Sequence, residues 1–291
     1  MAMKKLTRII LESAASVAHK VEATAIFVHA DLVPDPEVLK KVVGESRIIL
    51  VCRGDNTLEK GECAELGLET IQVPPIALSR IGQIKMAVMI SISQGLLKAG
   101  DTIVCIAGIP KTGVADTLMV LEIGEEFEIL NSVESVTMAK AVSPEVFETV
   151  LHLALELSCE GREGKPVGSI LVIGDHEKVL QYSRQLVINP FQGYSDEERS
   201  IFNPQMEKTV KEFSTIDGAF IIRSDGVVLC AGRHLNAAYE GEDLPHGLGS
   251  RHMAAAAITN VTDAAAIAIS ESTGTVTVFK GGKIFTEIER P

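Results

Sequence analysis

Three short stretches of the chain combine residue types suited to handling phosphates. Asp217-Gly218-Ala219 sets one carboxylate beside two residues with almost no side chain, leaving room for something bulky next to the acid. Gly249-Ser250-Arg251-His252 presents a hydroxyl, a guanidinium and an imidazole in succession, with Met253 following. Ser270-Glu271-Ser272-Thr273-Gly274 is a run of hydroxyls around a second carboxylate. An Asp-Gly pair alone is a common turn, but three such stretches at element ends are where loops gather into sites.

The middle stretch lies within Leu244 to Ile258, LPHGLGSRHMAAAAI. It passes from a loop loosened by Gly247 and Gly249 into an alanine-rich run. Alanine is the strongest helix former and serine a good N-cap, so the pattern predicts a helix capped by Ser250 with Arg251 and His252 at its rim. Free backbone N–H groups and the helix dipole there suit an anion, above all a phosphate. The same signature also marks an ordinary capped helix.

The elements that must position these residues follow from periodicity. Up to about residue 130, strand patterns (Ala25–Ala30, Arg47–Cys52, Glu69–Val73, Asp101–Ala107, Asp116–Ile123) alternate with helical ones. An amphipathic helix opens the chain. A second begins at Asp35-Pro36-Glu37, cap then first-turn proline. A longer one is predicted from Ala77 to Ala99, with Ile81, Ile84, Val88, Ile92 and Leu96 on one face and Gly100 ending it. Such alternation means a mostly parallel sheet covered on both faces. His29 and Asp31 then fall at a strand's C-terminal end, lining either a pocket or a solvated loop.

From Ile129 to Ser143 there is no Pro- or Gly-rich linker, which predicts closely docked domains, 1–130 and 131–291. Beyond it a helix opens at Ser143-Pro144-Glu145 with Phe147, Val150, Leu151, Ala154 and Leu157 as its buried stripe. Glu148, His152 and Glu156 stand four apart on its other face, spaced for a metal but read as a charge ladder. Ser169–Ile173, the hairpin Phe220–Arg223 and Val227–Ala231, Ala264–Ser270, and the hairpin Thr275–Phe279 and Lys283–Ile288 make a mixed sheet.

At 291 residues with a net charge of −12, the chain has room for two cores and an unfavourable field for nucleic acid. No segment supplies about 18 apolar residues in a row, so no membrane span is expected. Five scattered cysteines without C-x-x-C pairs suggest reduced packing residues of a cytoplasmic protein. No G-x-x-x-x-G-K-[ST] or G-x-G-x-x-G motif occurs; in Gly161–Gly168, Pro166 stands where a P-loop hydroxyl belongs. Any phosphate site on so acidic a protein must gather its cations locally or recruit a divalent metal.

Two resemblances add to this. AGDTIVCIAGIPKTGVADTLMVLEIG, with the layout before it, resembles the pyruvate kinase C-terminal domain, which implies a three-layer α/β/α fold carrying no chemistry. That family's effector loop is rich in Ser and Thr; here the place reads His29 to Pro34, so the fold carries over and that effector site does not. The three polar stretches, with Glu160–Asp175 and Asn189–Tyr194, resemble the diadenylate cyclase domain over about Ser143 to Ile288, in the two-domain combination of the archaeal-type cyclases. The resemblance implies an α/β mixed-sheet domain that joins two ATP into cyclic di-AMP and two pyrophosphates, with Mn²⁺ or Mg²⁺ and with self-association.

Carried over, Asp217 sits at the attacking 3′-hydroxyl as metal ligand or proton acceptor, and Gly218 and Ala219 admit the nucleotide. Gly249, Ser250, Arg251 and His252 hold phosphate, with His252 also toward metal. Ser270 and Glu271 line the nucleotide site, Glu271 being a further metal contact. Met253 replaces a basic residue and Ser272 an acid found in many members. These departures support the competing reading of a non-catalytic adenine-nucleotide sensor with a decayed site.

Overall fold

The computed structural model describes residues 3–33, 35–53, 63, 65–73, 75, 78–109, 112–123, 142–165, 167–238, 244 and 247–289. The chain divides into two compact units, Met1–Phe127 and Glu128–Arg290, each organised on its own mixed sheet. The stretch from Ile129 on which close docking was expected lies, up to residue 141, outside the described residues.

The first unit is built on β1 (Ala25–His29), β2 (Ile48–Arg53), β3 (Glu69–Val73), β4 (Thr102–Ile109) and β5 (Val114–Glu122), in the order β3-β2-β1-β4-β5. The first four are parallel, and β5 returns antiparallel on β4. Every residue of β1 is buried; because strand side chains alternate between faces, both faces must be covered. Ile26 and Val28 share one core with Leu11, Ala14 and Ala18 of α1 (Lys5–Lys20) and with Leu39 and Val43 of α2 (Pro36–Val43). Phe27 and His29 take the opposite face, and α3 (Arg80–Ser93) packs on β3 and β4.

Asp35 caps α2 as expected, its carboxylate accepting from the Glu37 N–H with Pro36 in the first turn. The helix expected over Ala77–Ala99 is shorter. Ser79 caps it by accepting from the Gly82 N–H, and it ends at Ser93 with Gln94 as C-cap. Gly95 follows at φ +71, so a glycine able to turn left-handed stops the helix before Gly100 is reached. Ile81 is exposed while Ile84, Val88 and Ile92 are buried. Ala77 lies outside the described residues.

The second unit has seven strands in the order β12-β11-β10-β6-β8-β9-β7: β6 (Ser169–Ile173), β7 (Ser183–Gln185), β8 (Ala219–Ile222), β9 (Val228–Leu235), β10 (Ala265–Ile269), β11 (Val276–Lys280) and β12 (Lys283–Ile288). Only β6 and β8 are parallel neighbours. The helices are α4 (Pro144–Glu160), α5 (His176–Gln181), α6 (Pro204–Phe213) and α7 (Ser250–Val261). Ser143 caps α4 by accepting from the Val146 N–H, and the Phe147-to-Leu157 stripe is buried. Opposite it, Glu156 pairs with Lys211 at 3.2 Å, whereas the His152 Nε2 is buried without a hydrogen-bond partner. Asn189–Tyr194 serves the core: Phe191 is buried, its ring 5.9 Å from that of Phe213 and 6.3 Å from that of Phe220.

Candidate functional site

Register explains why the three polar stretches meet. β10 runs antiparallel to β6 with Ile269 opposite Ser169, and β8 runs parallel to β6 with Ala219 opposite Ile170. One edge of the sheet therefore carries, side by side, the start of β8, the start of β6 and the end of β10. Asp217 precedes β8, Gly168 precedes β6 and Glu271 follows β10. The connection from α7 to β10 is only Thr262–Ala264, so α7 must run antiparallel to the strand on which it packs. Its N-terminus thus arrives at the same edge.

Arg251, in the first turn of α7, spans that edge. Its guanidinium donates from Nη1 to the Glu271 carboxylate at 3.0 Å, and Nη2 stands 3.8 Å from an Asp217 oxygen. Neighbouring strands are about 4.8 Å apart, so the two acids flank β6 and the guanidinium crosses above Gly168. A β-carbon at Gly168 would lie 2.5 Å from Nη1, 2.8 Å from Cζ and 3.0 Å from the Glu271 Cβ. Gly168 escaped the sequence reasoning as a site residue. Its signal was a glycine directly before a fully buried strand, which marks a close approach.

Gly218 is constrained differently. Its φ of +107 lies where L side chains rarely go, and a β-carbon would stand 2.7 Å from the Arg233 nitrogen. The backbone beside Asp217 can therefore turn only at a glycine. Asp217 itself is 91% exposed, so its oxygens remain accessible.

The expectation for Ser250 is corrected. Gly249 is the N-cap, φ −69 and ψ 163, and Ser250 is the first helical residue. The cap position lacks a side chain, so no side-chain oxygen takes up the first-turn N–H groups of α7. Such a bare helix start leaves its donors for a ligand. Pro245 and His246 of the preceding loop lie outside the described residues.

A cleft of about 710 Å³ opens here, within the range of small-molecule sites. Gly249, Ser250, Arg251, His252, Ser270, Glu271 and Ser272 line it, as do Thr273, Thr275, Thr277, Glu287 and Glu289. Asp217, Gly218, Ala219 and Met253 do not line it. Asp217 joins the cleft only through Arg251, Ala219 is buried in β8, and Met253 is exposed on α7. Thr277 of β11 and Glu287 of β12 are not marked out by the sequence because each looks like the polar half of an ordinary alternating strand.

The Ser270 hydroxyl accepts from the Thr273 N–H and lies 3.3 Å from that of Ser272, which shapes the turn beyond β10. His252 is buried, its ring edge-on to Phe279 at 6.0 Å. Burial lowers its proton affinity, with Glu287 opposing and Arg251 reinforcing the shift. Its imidazole is therefore neutral near pH 7, the form that ligates metals.

Among the described residues no three acids, imidazoles or thiols gather into a group able to hold a metal. Asp217, His252 and Glu271 thus form no ready-made metal cage, because Glu271 is drawn to Arg251 and His252 packs against Phe279. A cation binding here would have to bring most of its ligands on a polyphosphate and take one or two from the protein.

Fold and site together define a nucleotide-binding α/β protein: a glycine-capped helix start, an arginine clamped over a glycine, and a hydroxyl-lined cleft in the second of two units. Residues 156–284 match the family described as "DisA bacterial checkpoint controller nucleotide-binding", and residues 6–130 match the one described as "Probable sensor domain DacZ_P". The chain is 36% identical over 242 residues to a diadenylate cyclase of Haloferax volcanii, covering 82% of this chain and 84% of that protein. It is 39% identical over 208 residues to a diadenylate cyclase of Methanocaldococcus jannaschii, covering 71% of this chain and 66% of that protein, just under two thirds of its length. A solved structure of a hypothetical membrane spanning protein from Bacillus cereus matches 54% of this chain and 69% of its own at 16% identity, with a TM-score of 0.40. The chain belongs to the diadenylate cyclase family of nucleotidyltransferases. None of the helices among the described residues is long and apolar enough to cross a membrane.

Proposed function

We propose that this protein condenses two ATP molecules into cyclic di-AMP with release of two pyrophosphates. The observation that carries the reading is the convergence of Asp217, Arg251 and Glu271 at one sheet edge, beside the open N-terminus of α7. Phosphoryl transfer asks a protein chiefly for in-line positioning and charge neutralisation. The first-turn N–H groups of α7 and the Ser250 hydroxyl receive phosphate oxygens. Arg251 exchanges its carboxylate partners for the developing charge. Asp217, solvent-facing and beside a glycine that cannot obstruct, meets the 3′-hydroxyl and accepts its proton. His252 and Asp217 would hold the Mn²⁺ or Mg²⁺ that the nucleotide carries in, and Ser270 and Glu271 border the nucleotide. When bound, that cation supplies charge neutralisation at phosphate and acidification of the hydroxyl.

Each 3′-hydroxyl must reach the other nucleotide's α-phosphate, so one protomer cannot close the ring. Two copies meet about a two-fold axis through the reaction centre. The first unit, whose strand order and two-sided helical cover suit the pyruvate kinase C-terminal fold, does no chemistry. The acidic balance and the five scattered cysteines support a cytoplasmic setting away from nucleic acid.

Incubating the protein with ATP and Mg²⁺ or Mn²⁺, followed by chromatography, tests this. Cyclic di-AMP is expected, with specific activity falling on dilution into monomer. Nucleotide binding without any product would instead support the non-catalytic adenine-nucleotide sensor, the reading favoured by Met253 and Ser272. Activity unchanged in a demonstrably monomeric species would defeat the paired-site arrangement.

A further inference from the structure

The cleft beside α7 has a wall that phosphate binding does not explain. Three acids line it, Glu271, Glu287 and Glu289. Glu271 is paired with Arg251 at 3.0 Å, and Glu289 is exposed beyond β12. Glu287 of β12 is half-buried. Among the described residues its carboxylate has one hydrogen bond, donated to Oε1 by the fully buried Thr277 hydroxyl at 3.4 Å. One long bond from a neutral hydroxyl does little to offset a charge that would repel a polyphosphate. A carboxylate placed there favours the ligand only by engaging a cation or an N–H group.

The N–H at hand is that of His252. β11 and β12 are antiparallel with Thr277 opposite Glu287, and opposite residues send their side chains from one face. Phe279, two residues on from Thr277, shares that face, and the His252 ring stands edge-on to it at 6.0 Å. The helix that carries His252 packs on both strands. One face of the hairpin thus seats the imidazole on Phe279 and sets the Glu287 carboxylate in the same cleft. The Glu287 charge acts on the ring through space, opposing the effect of burial on its proton. Among the described residues neither nitrogen of His252 has a hydrogen-bond partner, and the ring lines the cleft.

A neutral imidazole has one proton for two nitrogens. A ring that offers its lone pair to a cation keeps the proton on the other nitrogen, where a carboxylate is a common companion. We propose that Glu287 is a positioning residue for the cyclase reaction: its carboxylate keeps the His252 proton on the ring nitrogen nearer β12, leaving the other nitrogen free for the cation that the nucleotide carries in. The inference rests on the nucleotide reading of this cleft and adds to it a residue that neither the glycine-capped helix nor Arg251 would reveal.

Two measurements on the full chain test it. The ¹⁵N shifts of the imidazoles, with His252 assigned by its loss in His252→Gln, report the tautomer without nucleotide or metal. One dominant tautomer is expected, giving way to a mixture in Glu287→Gln. Calorimetry with a non-hydrolysable ATP analogue then compares binding with and without Mn²⁺. With Mn²⁺ the variant should bind about tenfold or more weakly, the usual cost of losing a carboxylate behind a metal-binding histidine. Without Mn²⁺ it should bind no worse, because a repelling charge has gone. Glu287→Asp keeps the charge and should recover part of both effects, which a damaged fold would not. An unchanged tautomer, or Mn²⁺-nucleotide bound as tightly or more tightly by Glu287→Gln, would overturn the proposal. Neither readout requires product, so a failed cyclase assay and a failed positioning role are told apart.

Discussion

The Arg251 guanidinium lies across the backbone of Gly168, where the smallest β-carbon would come within 2.5 Å of Nη1. The atom in the way is the mobile end of a long side chain, so Gly168→Ala should displace Arg251 rather than unfold the sheet. Cyclase kcat/KM is expected to fall about a hundredfold, as for a misplaced positioning group. Tm should hardly change. Undiminished activity would show that Arg251 need not cross above Gly168.

Asp217→Asn keeps shape and removes charge at a side chain that is 91% exposed. Stability should change by less than about 0.5 kcal/mol, as for most surface substitutions. Product formation should drop by about a hundredfold or more, the range of a lost proton acceptor. The pair of measurements is decisive: a destabilised variant would mean that Asp217 has a structural task.

Gly218→Ala should behave oppositely. The residue is held at φ +107 with the Arg233 backbone 2.7 Å from a would-be β-carbon. Positive-φ strain and a collision with main chain are expected to cost about 1–3 kcal/mol, read as a lower urea midpoint at unchanged slope. Activity should fall as well, since this turn carries Asp217.

His29 predicts a pH dependence of stability. Its folded pKa, about 3, lies below the unfolded value of about 6.5. Below pH 6.5 the unfolded chain takes up a proton that the folded one refuses, so this group destabilises the fold as pH falls from 6.5 towards 3 and has no effect above that window. Urea titrations at pH 7.5 and 5 should show the first unit weaker at pH 5, and His29→Gln should lessen the difference. An unchanged difference would exclude His29 as its source.

Much of the architecture is legible in the sequence. Alternating strand and helix signals gave all five strands of the first unit and the Asp35 cap, because such patterns depend on neighbours within one or two turns. Helix length was misread where two glycines competed: Gly95 and Gly100 can each stop a helix, and only the backbone shows that Gly95 acts first. Ser250 was misplaced by one position for a similar reason, since a flexible Gly249 can cap without offering any side chain.

The residue types for phosphate chemistry, and the three stretches that carry them, were determined by sequence alone. What the tertiary structure decided is which of them touch. Strand register set Asp217, Gly168 and Glu271 along one edge, from positions far apart in the chain, and the three-residue link after α7 brought Arg251 over them. The same holds for His29, whose place at a strand's end is visible in sequence but whose burial with an unpartnered Nδ1 only the sheet decides. Local pattern reports what a residue can do; burial and register, which are long-range, decide what it is left to do.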